Sequence, residues 1–289
     1  MKRKFSRRDF LKMLGYFSLS SMAVGSGIGV YSTFFEAENL ELNEIKINLP
    51  RLSPRFFDYR IVQLSDIHMG GWMNRVRLRQ VVDLVQTQSA DLVVITGDFV
   101  FGRSWSESLN IAADEFVSEI KRLAAEIPTL GVLGNHDHWT DARKVRAMLA
   151  QSSIIELNND VYTIERDEDR LHIAGVDDVW EQKARLDIVM SKLPDSAAPI
   201  LLAHEPDFAD ESSKEHRFCL QLSGHSHGGQ VVLPYLGPPI LPYLGRKYPS
   251  GLYKVREMWQ YTNRGVGMIE PAILLNCRPE ITVITLKPA

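Results

Sequence analysis

The chain has 289 residues, 45% of them hydrophobic and 24% charged, with a formal net charge of -3. Its positive charge is concentrated at the start: setting aside residues 1 to 12, which carry a net +5, takes the formal charge from -3 to -8. An acidic remainder has no basic surface with which to neutralise phosphates, which argues against a general nucleic-acid binder, and two cysteines, Cys219 and Cys277, exclude a disulfide scaffold while leaving a single bridge between them open.

Ser6-Arg7-Arg8-Asp9-Phe10-Leu11-Lys12 precedes residues 13 to 31, which contain no charge at all. This reads as an export signal, and the arginine pair matches the twin-arginine pattern, an address read by the export machinery and not part of the fold. The 19 uncharged residues are about long enough to cross a bilayer, and cleavage candidates such as Ser21-Met22-Ala23 are weak. Residues 1 to 31 are therefore expected to be a signal that is retained as a membrane anchor or cleaved slowly, which puts the protein on the outer side of the cytoplasmic membrane, in the periplasm or cell wall. Residues 32 to 56 read as a linker and residues 57 to 289 as one α/β domain.

Residues 59 to 65 form an apolar run that reads as a strand delivering Asp66 and His68 at its carboxyl end. Residues 76 to 88 place Val81, Val82, Leu84 and Val85 on a helical stripe, and the apolar run 91 to 96 reads as a second buried strand closed by Gly97 and Asp98. Strand, helix, strand implies a parallel pair with a right-handed crossover. A helix over roughly 112 to 125 leads to a strand at 129 to 133, and the turn after it holds Asn135 and His136. In open α/β sheets ligands sit beyond the carboxyl ends of the strands, so these three turns are expected to share one rim.

The second half changes character. Runs at 154 to 157, 161 to 164, 170 to 176 and 200 to 203 read as strands with few long helices between them, which predicts a second, mixed sheet packed on the first, with helices over the outer faces. The last of these runs delivers His204. Phe218-Cys219-Leu220-Gln221-Leu222 is another strand-like run, and after it Ser223-Gly224-His225-Ser226-His227-Gly228-Gly229 sets two imidazoles in a glycine-fenced loop. Alone, that loop could be a solvated turn containing histidines. Five clusters of aspartate, asparagine and histidine at five strand ends instead point to a site for hard or borderline divalent metals. Residues 231 to 261, rich in proline, glycine and tyrosine, read as a long ordered loop.

With these motifs assembled, the chain resembles the calcineurin-like metallophosphoesterase superfamily, and within it the twin-arginine-exported bacterial phosphodiesterases of the cell envelope. The resemblance spans about residues 57 to 287 and rests on Asp66-x-His68, Gly97-Asp98, Gly134-Asn135-His136-Asp137, His204 and Gly224-His225-x-His227. It implies a four-layer αββα sandwich of two mixed sheets and a pair of divalent ions, manganese, iron or zinc. Asp66, His68 and His227 would hold the first ion, Asn135, His204 and His225 the second, and Asp98, with its two oxygens, would bridge them. Such a pair lowers the pKa of a shared water from 15.7 toward about 7 and creates hydroxide to attack phosphorus. His136 would be the general acid, oriented by Asp137.

The departures narrow the reading. Protein serine/threonine phosphatases of the superfamily carry arginine just before this asparagine-histidine motif, whereas here Leu133 precedes Gly134 and the acid is Asp137, which disfavours a protein phosphatase. Asn263-Arg264-Gly265-Val266-Gly267 and Arg278-Pro279-Glu280-Ile281 resemble the closing segments of nearer relatives, but Ile273 stands near where those carry an arginine. Arg264 is the candidate to grip phosphate in its place. The expected function is a phosphodiesterase acting on an envelope-associated phosphoester, a lipid or cell-wall glycan. The alternatives are a pyrophosphatase of a nucleotide-linked lipid such as UDP-2,3-diacylglucosamine, and a metal-binding scaffold without activity. A monomer is expected. Residues 234 to 253 are expected to form a rim that selects the non-phosphate part of the substrate, while His138, His172, His216, Asp177 and Asp178 read as structural.

Overall fold

The computed structural model describes residues 36–194 and 198–289, so the expected export signal lies outside the described residues. Two six-stranded mixed sheets form the centre. The first has the order β1-β12-β2-β3-β4-β5, built from β1 (Glu41–Leu49), β2 (Arg60–Leu64), β3 (Leu92–Ile95), β4 (Thr129–Gly131), β5 (Ile155–Glu156) and β12 (Glu280–Pro288). The second has the order β10-β11-β9-β8-β7-β6, from β6 (Asp160–Arg166), β7 (Asp169–Gly175), β8 (Ile200–Leu202), β9 (Leu220–Ser223), β10 (Gly251–Val255) and β11 (Met258–Thr262). β2, β3, β4 and β5 run parallel, as do β7, β8, β9 and β11, while antiparallel pairings join β12 to β2, β6 to β7 and β10 to β11.

Strand alternation explains the layers. Leu92 and Val94 of β3 face the core between the sheets, with Ile61, Leu130, Ile173, Ile200, Leu202, Leu220 and Leu222. Their neighbours Val93 and Ile95 point the other way, toward α1 (Arg75–Gln86), α2 (Glu107–Ala124) and α3 (Asn135–Gln151). A strand covered on both faces must read as a continuous apolar run, which is why the short strands were visible in the sequence. On the far side of the second sheet, Ala174, Leu201 and Ala203 pack on Val189 of α4 (Leu186–Lys192) and Ala209 of α5 (Ala209–Ser212). The sandwich is therefore helix, sheet, sheet, helix, as expected.

Three elements differ from expectation. Residues 41–49, inside the stretch read as a linker, form β1, which pairs in parallel with β12 over its whole length from Glu41 against Glu280 to Leu49 against Pro288; the alternation ending in buried Ile47 and Leu49 was an edge-strand signal. Helix α3 carries the Asn135-His136-Asp137 motif in its first turn, and its core contacts Val145, Met148 and Leu149 begin only after a polar start that hid the stripe. The expected long loop at 231 to 261 ends in the hairpin of β10 and β11. No helix among the described residues is long and apolar enough to cross a membrane.

Helices α1 and α2 are joined by a buried carboxylate. Glu119 Oε1 accepts from Arg75 Nε and Arg79 Nη2 at 2.8 Å each, and Arg122 Nη2 lies 3.5 Å from Oε2. The Arg79 hydrogen bond, with Arg75 and against burial, lowers the Glu119 pKa from 4.5 to about 2. A depressed folded-state pKa gives stability that is present above pH 4.5 and lost as pH falls toward 2. Glu119→Gln is expected to cost about 2 kcal/mol at pH 7 and clearly less at pH 3, read from urea denaturation at both pH values. An equal loss at both would refute this account.

Candidate metal centre

The site sits where the carboxyl ends of five parallel strands from the two sheets meet. β2 delivers Asp66 and His68, β3 delivers Asp98, β4 leads to Asn135 and His136, β8 to His204, and β9 to His225 and His227. Backbone hydrogen bonds fasten the turns to one another: Asp66 N–H donates to Gly97 O at 3.0 Å, His68 N–H to Asp98 O at 3.0 Å, and Gly224 N–H to His204 O at 3.0 Å. Beneath them, Gln63 Nε2 donates to Thr96 Oγ1 at 3.1 Å and to Ser223 O at 2.9 Å, linking the two sheets directly under the site. Gly267 N–H donates to Asp66 O at 2.8 Å, so the Asn263-to-Gly267 segment backs the first turn.

The local backbone is forced. Asp66, His68, Asp98, His225 and His227 have φ of 49°, 52°, 56°, 69° and 50°, a left-handed conformation that costs a non-glycine residue on the order of 1 kcal/mol or more. Gly224 could not carry a side chain, because a Cβ there would collide with Ser65 Oγ and Asp66 Oδ2.

These turns bring the donors to one place. Ligand atoms of Asp66, His68 and His227 lie within 4.8 Å of one another, and so do those of Asp98, His204 and His225 and those of His68, Asp98 and His136. In the first group, His68 Nε2 is 3.1 Å from His227 Nε2, and Asp66 Oδ1 is 3.4 Å from His227 Nε2 and 4.0 Å from His68 Nε2. In the second, His204 Nε2 is 3.3 Å from Asp98 Oδ2 and 3.2 Å from His225 Nδ1. Carbonyls choose which nitrogen each imidazole presents, since a carbonyl only accepts: His204 Nδ1 donates to Thr96 O at 2.7 Å and His225 Nε2 to Tyr243 O at 2.8 Å. That leaves His204 Nε2 and His225 Nδ1 facing the cluster.

The electrostatics match a cation site. Burial lowers the pKa of His68 to about 3 and also lowers His225 and His227, so these rings present lone pairs. Burial opposes ionisation of both Asp98 and His204, yet each favours the other's charge, holding Asp98 well below and His204 well above the ordinary values. Two neutral imidazole nitrogens 3.1 Å apart with carboxylates behind them, and a buried Asn135 Oδ1 that has no hydrogen-bond partner, fit divalent cations with mixed oxygen and nitrogen ligands.

Asp98 differs from expectation in detail. Its Oδ1 accepts the His136 N–H at 2.8 Å, and Oδ2 alone lies between His204 at 3.3 Å and His68 at 3.6 Å. One oxygen, not two, faces both groups. Asp137 does not orient the His136 ring: its Oδ1 accepts from Phe99 N–H at 2.9 Å and Val100 N–H at 3.2 Å, and its Oδ2 from Gly134 N–H at 3.0 Å, so it clamps the third turn onto the second. Burial and the Asp98 charge raise its pKa to about 8 against those three donors. Arg264 is taken up by two carboxylates. It ion-pairs with Glu280 through Nε and with Glu41 at 3.2 Å, tying β1 and β12 to the loop that backs Asp66. Cys219 and Cys277 are buried free thiols, so no bridge forms. His138 pairs with Asp177 at 2.7 Å and His172 with Thr163 at 2.9 Å, both away from the donor groups.

Above the donors opens a cavity of about 680 Å³ with Asp98, Asn135, His136, His225 and His227 in its lining. Ile240 comes from the expected rim of residues 234 to 253, whereas Phe101, Trp139, Trp180, Ile269 and Ile273, which with it make the walls largely apolar, were not anticipated. His136 is held there by rings, stacked on Phe101 at 5.5 Å and tilted against Trp139 at 4.9 Å. Trp139 lies one helical turn beyond His136, a spacing that could have flagged it. Trp180 had no such signal. It is placed by Glu205, which accepts the Val179 and Trp180 N–H groups at 3.2 and 3.1 Å, next to Asp178, whose pKa is raised to about 10 by burial and by Glu205.

The calcineurin-like phosphoesterase family model matches residues 59–229, and the chain belongs to that family of phosphoric ester hydrolases. It is 32% identical over 288 residues to the metallophosphoesterase YkuE of Bacillus subtilis (strain 168), covering 99% of each chain. It is 30% identical over 287 residues to phosphodiesterase YaeI of Escherichia coli (strain K12), covering 97% of this chain and 99% of that one. A Danio rerio transmembrane protein with a metallophosphoesterase domain is 30% identical over 282 residues, which span 93% of this chain and 62% of that protein.

Because Gly224 leaves no room for a Cβ beside Asp66, Gly224→Ala is expected to displace that carboxylate and weaken metal binding at least about tenfold while the far-ultraviolet dichroism stays native. Equilibrium dialysis against manganese checks this. Unchanged affinity would mean that the turn is more compliant than its geometry implies.

Proposed function

We propose that the chain is a two-metal phosphodiesterase acting outside the cytoplasmic membrane on a phosphodiester with a bulky apolar part. The observation that carries this reading is the cavity, with metal donors at its floor and aromatic and aliphatic side chains for walls. Asp66, His68 and His227 would hold one ion and Asn135, His204 and His225 the other, with Asp98 Oδ2 between them. Divalent ions held there supply charge that stabilises phosphoryl oxygens and makes water acidic enough to lose a proton near neutrality.

The protein's own residues do the rest. Thr96 O and Tyr243 O fix the tautomers of His204 and His225, and the His136 N–H holds Asp98 in place. The His136 ring, half-buried at the cavity wall, is set to give a proton to the leaving oxygen. Charge favours a diester over a monoester. Among the described residues lining the cavity, Arg103 is the one cation, 5.5 Å over the Trp139 ring. A singly charged diester needs less compensation than a doubly charged monoester, and its second substituent finds apolar wall to bury against. The name of YaeI, phosphodiesterase, agrees with this choice.

Asp98→Ala is expected to lose most bound metal and at least about a thousandfold in turnover of a chromogenic diester. His136→Ala should keep its metal and lose about a hundredfold or more, less so for substrates with a good leaving group that needs no proton. Metal analysis beside kinetics with two leaving groups checks both. Full turnover in Asp98→Ala would sink the site assignment, and a leaving-group-independent loss in His136→Ala would sink its acid role.

Export is part of the same reading, motivated by Arg7 and Arg8 ahead of the uncharged stretch. Arg7→Lys with Arg8→Lys is expected to leave the protein in the cytoplasm with its diesterase activity intact, because the pair is an address read by a receptor. Cell fractionation decides it, and normal export of the double variant refutes the signal.

A further inference from the structure

Beyond residues 59–229, where the family match ends, the chain leaves the site and makes a tight turn: Leu233 N–H donates to Gly237 O at 3.0 Å and Gly237 N–H to Leu233 O at 2.9 Å. At its tip Tyr235 is fully exposed and Leu236 is 82% exposed. Tyr235 is held at φ 67°, a conformation unusual for a bulky side chain, so the turn presents both residues to solvent at a backbone cost. Ile240, 79% exposed, continues the apolar surface to the cavity mouth, where Ile240 and Ile273 both belong to the lining. Tyr235 and Leu236 do not line the cavity.

The point at which the described chain begins supplies the second observation. Glu36 accepts the Cys277 N–H at 2.8 Å, and Ala37 packs with Met268 and Leu274. The same segment holds the root of the turn: Val232 N–H donates to Leu275 O at 2.8 Å, and Asn276 Nδ2 donates to Val232 O at 2.9 Å. Residue 36 therefore joins the domain beside the turn. The uncharged residues 13 to 31 end five residues earlier, and five residues span at most about 17 Å. Nineteen uncharged residues suffice to cross a hydrocarbon core, so a lipid bilayer that holds them also lies within reach of the exposed tip.

We propose that Tyr235 and Leu236, with Ile240 beside them, insert into the interfacial zone of a lipid bilayer and set the cavity mouth against it, so that the enzyme takes its diester from the membrane. Tyrosine suits the headgroup level and leucine the acyl boundary, and together with the apolar stretch they give the two attachments that fix orientation as well as proximity. The lipid source of the substrate rests on the phosphodiesterase reading, whereas docking of the tip does not.

The test uses the full chain. Cys219 and Cys277 are buried, so an environment-sensitive thiol dye on Leu236→Cys reports that position alone, with the parent chain as the unlabelled control. On vesicles of phosphatidylethanolamine and phosphatidylglycerol the dye should shift to the blue and be quenched severalfold by spin labels on the acyl chains. In parallel, Tyr235→Ser with Leu236→Ser should lose about tenfold in hydrolysis of a vesicle-embedded diester and nothing on a soluble one. A dye that stays water-exposed on vesicle-bound protein overturns the proposal. A blue shift that grows with protein concentration in the absence of lipid overturns it in favour of a second copy of this chain. Failure of the wild type on both diesters would refute the phosphodiesterase reading and leave the dye to decide docking.

Discussion

Everything around the site follows from the need to keep Asp98 ionised while it is buried. Desolvation alone would protonate it; the neighbouring His204 is the largest influence pulling it back, and holds it charged. Its two oxygens are divided between tasks, Oδ1 anchoring the start of α3 through the His136 N–H and Oδ2 standing between the two donor groups. Because Asp98 follows β3 of the first sheet and His204 follows β8 of the second, the packing of sheet on sheet brings the pair together. The polar seam of Gln63, Thr96 and Ser223 directly below keeps the two strand ends in register where an apolar seam could slide.

The gathering of these donors at one place was legible in the sequence because aspartate, asparagine and histidine stand at the ends of apolar runs, and parallel strands bring such ends together. What could not be read was how the residues are oriented. Asp137 stands beside His136 in sequence, but adjacent residues in a helix point apart, and its carboxylate reaches back to Gly134 and across to Phe99 and Val100. Arg264 looked like a phosphate ligand because it follows a strand, yet buried Glu280 and the edge residue Glu41 claim it. Those carboxylates belong to β12 and to β1, the strand hidden in the expected linker, so the misplaced boundary and the misplaced arginine share one cause. The left-handed conformations at Asp66, His68, Asp98, His225 and His227 likewise leave no mark in composition, since none of the five is glycine.

The chain divides its work between two regions. Residues 59–229 carry the candidate metal donors, and the family match ends there, while Ile240, Ile269 and Ile273 of the following segment build much of the wall. The division has a physical reason. Donors must be held to a fraction of an ångström, which only strand ends locked by cross-sheet hydrogen bonds can do, whereas an apolar wall tolerates variation and can be made from an irregular segment. The wall meets the donors at Tyr243: the carbonyl that fixes the His225 tautomer belongs to this residue, whose ring packs edge-on against Trp180 at 5.4 Å. Trp180 in turn packs against His225 at 5.5 Å and Trp139 at 5.3 Å. A displacement of the wall at Tyr243 would therefore be felt as a change in which nitrogen of His225 faces the donor cluster, so the segment that shapes the cavity also bears on the floor beneath it.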